Sequence, residues 1–172
     1  DFMPKLNGAS LDCGAALDCG AALERWGPMV FRLAWHTLGR REDAEDVAQE
    51  VFVALVQSRT SFRDEAHLQR WLVRCTIHRC RNVNTSAWRR HTVPFPEGWD
   101  IPAHGSDPTD RTVSEAVGRL PTAYRQAICL HYVEGYTAQE IGRLLGCPRG
   151  TVLSRLSRAR DLLHSYLKEE VL

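Results

Sequence analysis

Residues 82–91, Asn-Val-Asn-Thr-Ser-Ala-Trp-Arg-Arg-His, gather amides, hydroxyls, an indole and two guanidinium groups into one short run. Nothing there pairs a nucleophile with a base, so the chemistry on offer is recognition rather than bond-making. Asn82, Asn84, Thr85 and Ser86 can read the edges of bases turned out of a duplex, while Trp88 stacks and Arg89 and Arg90 hold the strand by charge. Taken alone, the run is better read as a polar loop closing a helix. A second basic set lies near the other end of the chain. Five arginines and no acidic residue fall between Arg143 and Arg160, and Arg149, Thr151, Ser154, Arg155 and Arg158 can approach phosphates and bases without repulsion. Cys75, His78 and Cys80 are metal-ligand types, but offsets of three and five put Cys80 well around a helix from Cys75. No second Cys/His pair with zinc spacing follows. These cysteines are expected to fill a core, and no metal or cofactor is expected.

Charge is segregated beneath a net value of only +1. Glu42 to Glu50 holds five acidic residues and no base, whereas Ala66 to Pro96 holds six arginines and no acid. Opposite faces imply opposite partners, although from charges alone the acidic run reads as a solvated helix face. At 172 residues, 44% hydrophobic and 25% charged, the chain suits one medium domain or two small ones. No apolar run approaches the roughly 20 residues that span a bilayer, and no secretory signal is visible. A cytoplasmic protein without membrane insertion is expected, and disulfides are not.

The elements that position these groups read as helices throughout. Thr137-Ala138-Gln139-Glu140 has the form of a capping box, so a helix should begin near Ala138 with Ile141, Leu144 and Leu145 on its apolar side. Gly142 permits close approach there, Gly146 suits a left-handed stop, and Pro148 can open the next helix. In that helix Val152, Leu156, Ala159 and Leu163 share one face. The pair is a helix-turn-helix whose second helix carries the arginines. Upstream, Leu23, Trp26, Val30, Leu33 and Thr37 show a helical period that Gly27-Pro28 should kink or restart, and Gly39 should end it. Asp43 then starts a helix with Ala44, Val47, Ala48, Val51, Leu55 and Val56 buried and Glu42, Glu45, Asp46, Gln49 and Glu50 outside. A helix from about Ala66 to about Asn82 carries Leu68, Leu72, Cys75, Thr76 and Arg79 along one stripe, with Trp71 beside it in the core. Residues 92–112 hold four prolines and no apolar period, which marks a linker. Thr112-Val113-Ser114-Glu115 offers a further capping box after it. A tandem LDCGAA in residues 11–22 is too short to mean a solenoid.

Val117 to Leu163 resembles region 4 of bacterial sigma factors of the extracytoplasmic-function (ECF) group. The likeness is carried by Leu120-Pro121, Tyr124-Arg125, Val133-Glu134-Gly135, Glu140-Ile141, Leu145-Gly146, Gly150-Thr151-Val152, Ser154-Arg155 and Arg158-Ala159-Arg160. Glu42-Asp43-Ala44-Glu45-Asp46-Val47-Ala48-Gln49-Glu50-Val51-Phe52, after Leu38-Gly39, is similar to region 2.2 of the same group. Ser61-Phe62-Arg63 and Trp71-Leu72-Val73-Arg74 continue the match.

The resemblance implies a transcription initiation factor and not an enzyme. Its fold would be all-α, with an N-terminal extension at 1–22, a region 2-like domain at 23–91, a flexible linker at 92–112 and a region 4-like domain at 113–172. Asp43, Asp46, Val47, Gln49, Glu50 and Phe52 would bind core RNA polymerase. Arg74 and residues Asn82, Asn84, Thr85, Ser86, Trp88, Arg89 and Arg90 would take the −10 element through a loop and following helix. Arg149, Thr151, Ser154, Arg155 and Arg158 would take the −35 element, and an anti-sigma factor is a candidate partner. Leu153 and Ala87-Trp88 depart from the group's usual basic or small residues, and the LDCGAA repeat matches nothing in it. A stand-alone helix-turn-helix regulator and a small metal enzyme are the alternatives. A linker of this length keeps the domains at high effective concentration, so they are expected to touch weakly, the acidic helix meeting an arginine-rich face.

Overall fold

The computed structural model describes residues 19–90 and 108–170, with side chains at 19–85 and 112–169. The LDCGAA repeat before Cys19 and residues 92–107 of the expected linker lie outside the described residues. Helix α1 (Cys19–Leu38) runs unbroken through Pro28. The helix does not restart there, because Met29, Val30, Leu33, Ala34, Trp35 and Leu38 beyond Pro28 are all buried, and that burial outweighs one lost backbone hydrogen bond. Leu23, the first residue of the helical period, is exposed. Gly39, at φ 74°, stops the helix as expected and donates its N–H to Trp35 O at 2.7 Å.

Helix α2 (Arg41–Gln57) starts two residues before Asp43, behind an Arg40 cap that makes no side-chain bond. Ala44, Val47, Val51 and Leu55 are its buried stripe. Val56, expected inside, is 64% exposed, because one residue past Leu55 already turns about 100° away from the core. Helix α3 (Glu65–Arg90) opens on Asp64, whose carboxylate accepts the His67 N–H at 2.7 Å. Trp71 packs edge-on against Phe62, 5.8 Å between centroids. Along the expected stripe Leu68, Leu72 and Thr76 are buried and Cys75 and Arg79 half-buried, and Val73, Ile77 and Cys80 beside it are buried too.

The polar run after Asn82 is not a loop: α3 continues helically to Arg90. No Gly or Pro interrupts residues 65–90, and Thr85 turns its hydroxyl back to Arg81 O at 2.8 Å, so its polar group is satisfied within the helix. Helix α4 (Pro108–Gly118) likewise starts earlier than expected, with proline at its first position, so Thr112 to Glu115 lie inside it and form no cap. Helix α5 (Thr122–Ile128) runs on into one wide π-helical turn (Cys129–Val133). Helices α6 (Ala138–Leu145) and α7 (Arg149–Glu170) complete the fold.

Helices α1–α3 form one group and α4–α7 another, and the groups pack on each other chiefly through α1 with α5 and α3 with α6. The acidic helix expected at this junction is not its main element. Arg32 donates through Nε and Nη2 to Glu134 Oε1 at 2.9 and 2.8 Å. Arg125, buried on α5, donates to Gly118 O at 2.8 Å and across the junction to Thr37 O at 3.2 Å. Burial lowers its guanidinium to about 10, which leaves it cationic at neutral pH. Arg81 donates to Leu145 O at 2.7 Å, joining α3 to the end of α6.

His36 sits in this junction. Burial first, then the charges of Arg32 and Arg125, lower it from 6.5 to about 4. Above pH 6.5 both folded and unfolded chains hold it neutral. As pH falls from 6.5 to 4 only the unfolded chain takes the proton, so stability drops by up to about 3 kcal/mol and no further below that window. His36→Asn should flatten urea-unfolding stability across this range, and an unchanged slope would refute the assignment.

Candidate functional site

Three surfaces follow from this packing. On α2, Asp46, Gln49 and Glu50 are exposed, Asp43 and Phe52 are half-buried, and Val47 is 1% exposed. Val47 therefore cannot meet a partner directly: its side chain points into the core and fixes the helix that displays its neighbours. Glu50 is held by Arg79 of α3 at 2.6 Å, and Arg41 pairs with Glu45 at 2.8 Å. The exposed stripe continues from Asp46 and Gln49 to Val53 and Val56, 53% and 64% exposed. These two valines were missed as surface residues, although their helical spacing from Gln49 is the signal that finds them.

On α3, Arg74, Asn82, Asn84 and Thr85 are all exposed. Arg74, Arg81 and Thr85 fall on one stripe at spacings of seven and four, flanked by the two asparagines. Ser86, Trp88, Arg89 and Arg90 prolong the helix, and their side chains lie outside the described residues.

The third surface is the helix-turn-helix. Thr137 Oγ1 accepts the Glu140 N–H at 3.3 Å and Glu140 returns the bond to the Thr137 N–H at 2.9 Å. Those bonds hold the Glu140 carboxyl below its usual range. Gly146 is left-handed, φ 68° and ψ 38°. Gly142 permits the close approach expected of it: a Cβ there would lie 2.6 Å from Cys147 O and 3.5 Å from the N of Arg149, the first residue of α7. Val152, Leu156 and Ala159 of α7 are buried, and Arg149, Ser154 and Arg158 are exposed on the other side. Thr151 and Arg155 are half-buried, Arg155 pointing its Nη1 toward Cys147 Sγ at 3.9 Å. The start of α7 thus offers a helix N-terminus and several guanidinium groups with no acid in its first turn.

The thiols do not form a reactive set. Burial pushes Cys80 to about 12 and raises Cys75, so neither presents a thiolate at neutral pH. No cluster of three metal-ligating side chains occurs among the described residues. Among them too, no helix is long and apolar enough to cross a membrane.

The elements among the described residues are thus helical throughout, with an acid-faced helix, a polar helix beside it and a capped helix-turn-helix. The Sigma-70 region 2 family matches residues 22–92 and the Sigma-70, region 4 family matches residues 110–163. The ECF RNA polymerase sigma-E factor of Haemophilus influenzae is 30% identical over 144 residues, covering 74% of this chain and 76% of that protein. ECF RNA polymerase sigma factor SigW of Bacillus subtilis is 31% identical over 156 residues, covering 81% and 83%. ECF RNA polymerase sigma factor SigE of Mycolicibacterium smegmatis is 32% identical over 147 residues, 80% of this chain, and the match spans only 57% of that longer protein. Among solved structures, the sigma factor RpoE of Bartonella quintana, in complex with the anti-sigma factor NepR, aligns over 89% of this chain and 98% of its own. The TM-score is 0.76 at 25% identity. CnrH, bound to the cytosolic domain of CnrY, shares the fold at TM-score 0.63, covering 91% of each chain at 24% identity. The chain belongs to the ECF sigma factors of the sigma-70 family.

Proposed function

We propose that the chain binds core RNA polymerase through the exposed face of α2 and directs it to promoters, α3 taking the −10 element and the start of α7 the −35 element. The observation that carries this reading is the occurrence of both sigma regions in order along one chain. The docking residues are Asp46, Gln49 and Glu50, extended by Val53 and Val56, with Asp43 and Phe52 contributing at the edge. Asn82, Asn84, Thr85 and Arg74 serve the −10 element, joined by Ser86, Trp88, Arg89 and Arg90 farther along the helix. The work is cytoplasmic, and the polymerisation chemistry belongs to the polymerase. An anti-sigma partner is supported by the NepR-bound relative, whose fold this chain shares. In vitro transcription from a promoter library, with core polymerase and with or without this chain, tests the whole reading. No chain-dependent start sites would refute it.

On the −35 side, Arg158→Ala should cost about 1 to 3 kcal/mol of promoter binding and relax preference at one base pair if the arginine reads a base edge. Arg155→Ala should cost less, because Arg155 is half-buried against the turn. Competitive promoter-binding titrations check both. Wild-type behaviour of the two variants would show that another face of α7 meets DNA.

A further inference from the structure

We infer that Leu153 is a specificity-determining residue of the −35 reader: its side chain selects a thymine by packing on the 5-methyl group in the major groove. This rests on the reading above and adds a base preference to it. Val152, Leu156 and Ala159 take the core places of α7, so Leu153, one residue past Val152, turns about 100° away from them. It is 44% exposed. Of the large apolar side chains exposed among the described residues, Leu153 is the one on α7. As the fifth residue of that helix it lies within the first two turns, the part of a recognition helix that reaches base edges.

Its surroundings indicate what it meets. At helical spacing its exposed neighbours are Arg149, Gly150 and Ser157, with Ser154 beside it. Arg149 shares a groove with Gln139 and Arg143 of α6, and no acidic residue falls between Arg143 and Arg160. An apolar groove on a protein partner calls for a contiguous patch, whereas this is one apolar point ringed by charge, hydroxyl and glycine. Such a point suits a polyanion that displays isolated methyl groups. A Cβ on Gly150 would meet nothing within 4 Å, so the space beside Leu153 is open to an incoming group. Leucine has no donor for a phosphate. Against adenine, guanine or cytosine it would strip water from a ring nitrogen, carbonyl or amino group and return no hydrogen bond. Thymine alone puts a methyl group on that edge. Arg158, five residues on and about 140° further round the helix, serves a different base pair. A basic residue is usual in the group where Leu153 stands, so the thymine preference is this chain's own.

The test uses the full chain bound to core RNA polymerase and promoter duplexes with a randomised −35 element. Selection with the wild-type chain should return thymine, on one strand or the other, at one position where Leu153→Ala returns no preference, every other position being unchanged. Replacing that thymine by deoxyuridine removes only the methyl group. It should weaken wild-type binding about three- to fivefold and leave Leu153→Ala unaffected. 5-Methylcytosine at the same place should bind the wild-type complex better than cytosine does. Alanine suits an exposed helix position, so the circular dichroism of Leu153→Ala should match the wild type. Unchanged base preferences in Leu153→Ala, or equal wild-type binding to thymine and deoxyuridine, would overturn the assignment. Weaker polymerase binding by Leu153→Ala with an unaltered base profile would make the leucine a protein contact, and would overturn it as well. If the wild-type complex selects no −35 sequence at all, it is the functional reading that fails, and the thymine preference goes with it.

Discussion

Asp46→Lys combined with Glu50→Lys is expected to abolish co-elution with core RNA polymerase, a loss of at least about a hundredfold, or roughly 3 kcal/mol. Both carboxylates are exposed on α2, so the chain can fold around their replacements. The second of the new lysines would face Arg79, which now holds the Glu50 carboxylate at 2.6 Å, and exposed pairs of this kind contribute little to stability. Helical content by circular dichroism should therefore remain at the wild-type level while binding is lost. The discriminating control is Val53→Asp: if the apolar continuation of the face also meets the polymerase, it weakens binding without reversing any charge. Retained co-elution by the double lysine variant would move the docking surface elsewhere.

Gly142→Ala is expected to destabilise the C-terminal group by about 2 to 4 kcal/mol, among the largest effects available to a single methyl group. The added Cβ would sit 2.6 Å from Cys147 O, and backbone cannot step aside as a flexible side chain can. Relief requires the turn between α6 and α7 to open, which tilts α7 away from the angle set by Ile141, Leu145, Val152 and Leu156, all buried. Both the thermal midpoint and −35 binding should fall. Gly150→Ala supplies the internal comparison, since a Cβ there meets nothing within 4 Å. It should be neutral, or stabilise by up to about 1 kcal/mol through loss of unfolded-state entropy. Equal stability of the two alanine variants would show that the turn tolerates the clash.

The helix-turn-helix was legible in the sequence because its determinants are local. The Thr137 to Glu140 box, the left-handed Gly146 and the Val152, Leu156, Ala159 face each need only neighbours within a few turns of chain. The acidic face of α2 was legible for the same reason, and Val56 was misplaced because an apolar residue was assigned to the core one position past the stripe. Helix α3 was cut short at Asn82 by reading polar side chains as loop formers, when Thr85 bonds back into its own helix. That the two groups touch was expected from the linker, but the residues that meet could not be read. Arg32 and Glu134 are 102 residues apart, and Arg125 and Thr37 are 88 apart. No periodicity links such partners.

The π-helical turn at Cys129–Val133 sets the phase of everything that follows it on the surface. A π turn accommodates one residue more than an α turn, and each residue is worth about 100° of rotation. Excising one residue from Cys129–Val133 would let α5 continue in ordinary register and would swing Glu134 roughly a quarter-turn off its present bearing. The carboxylate would then miss Arg32, while Tyr132 and Val133, now exposed, would turn with it. One surplus residue in one helix thus works as an angular spacer, aiming the C-terminal half of the chain at its N-terminal half.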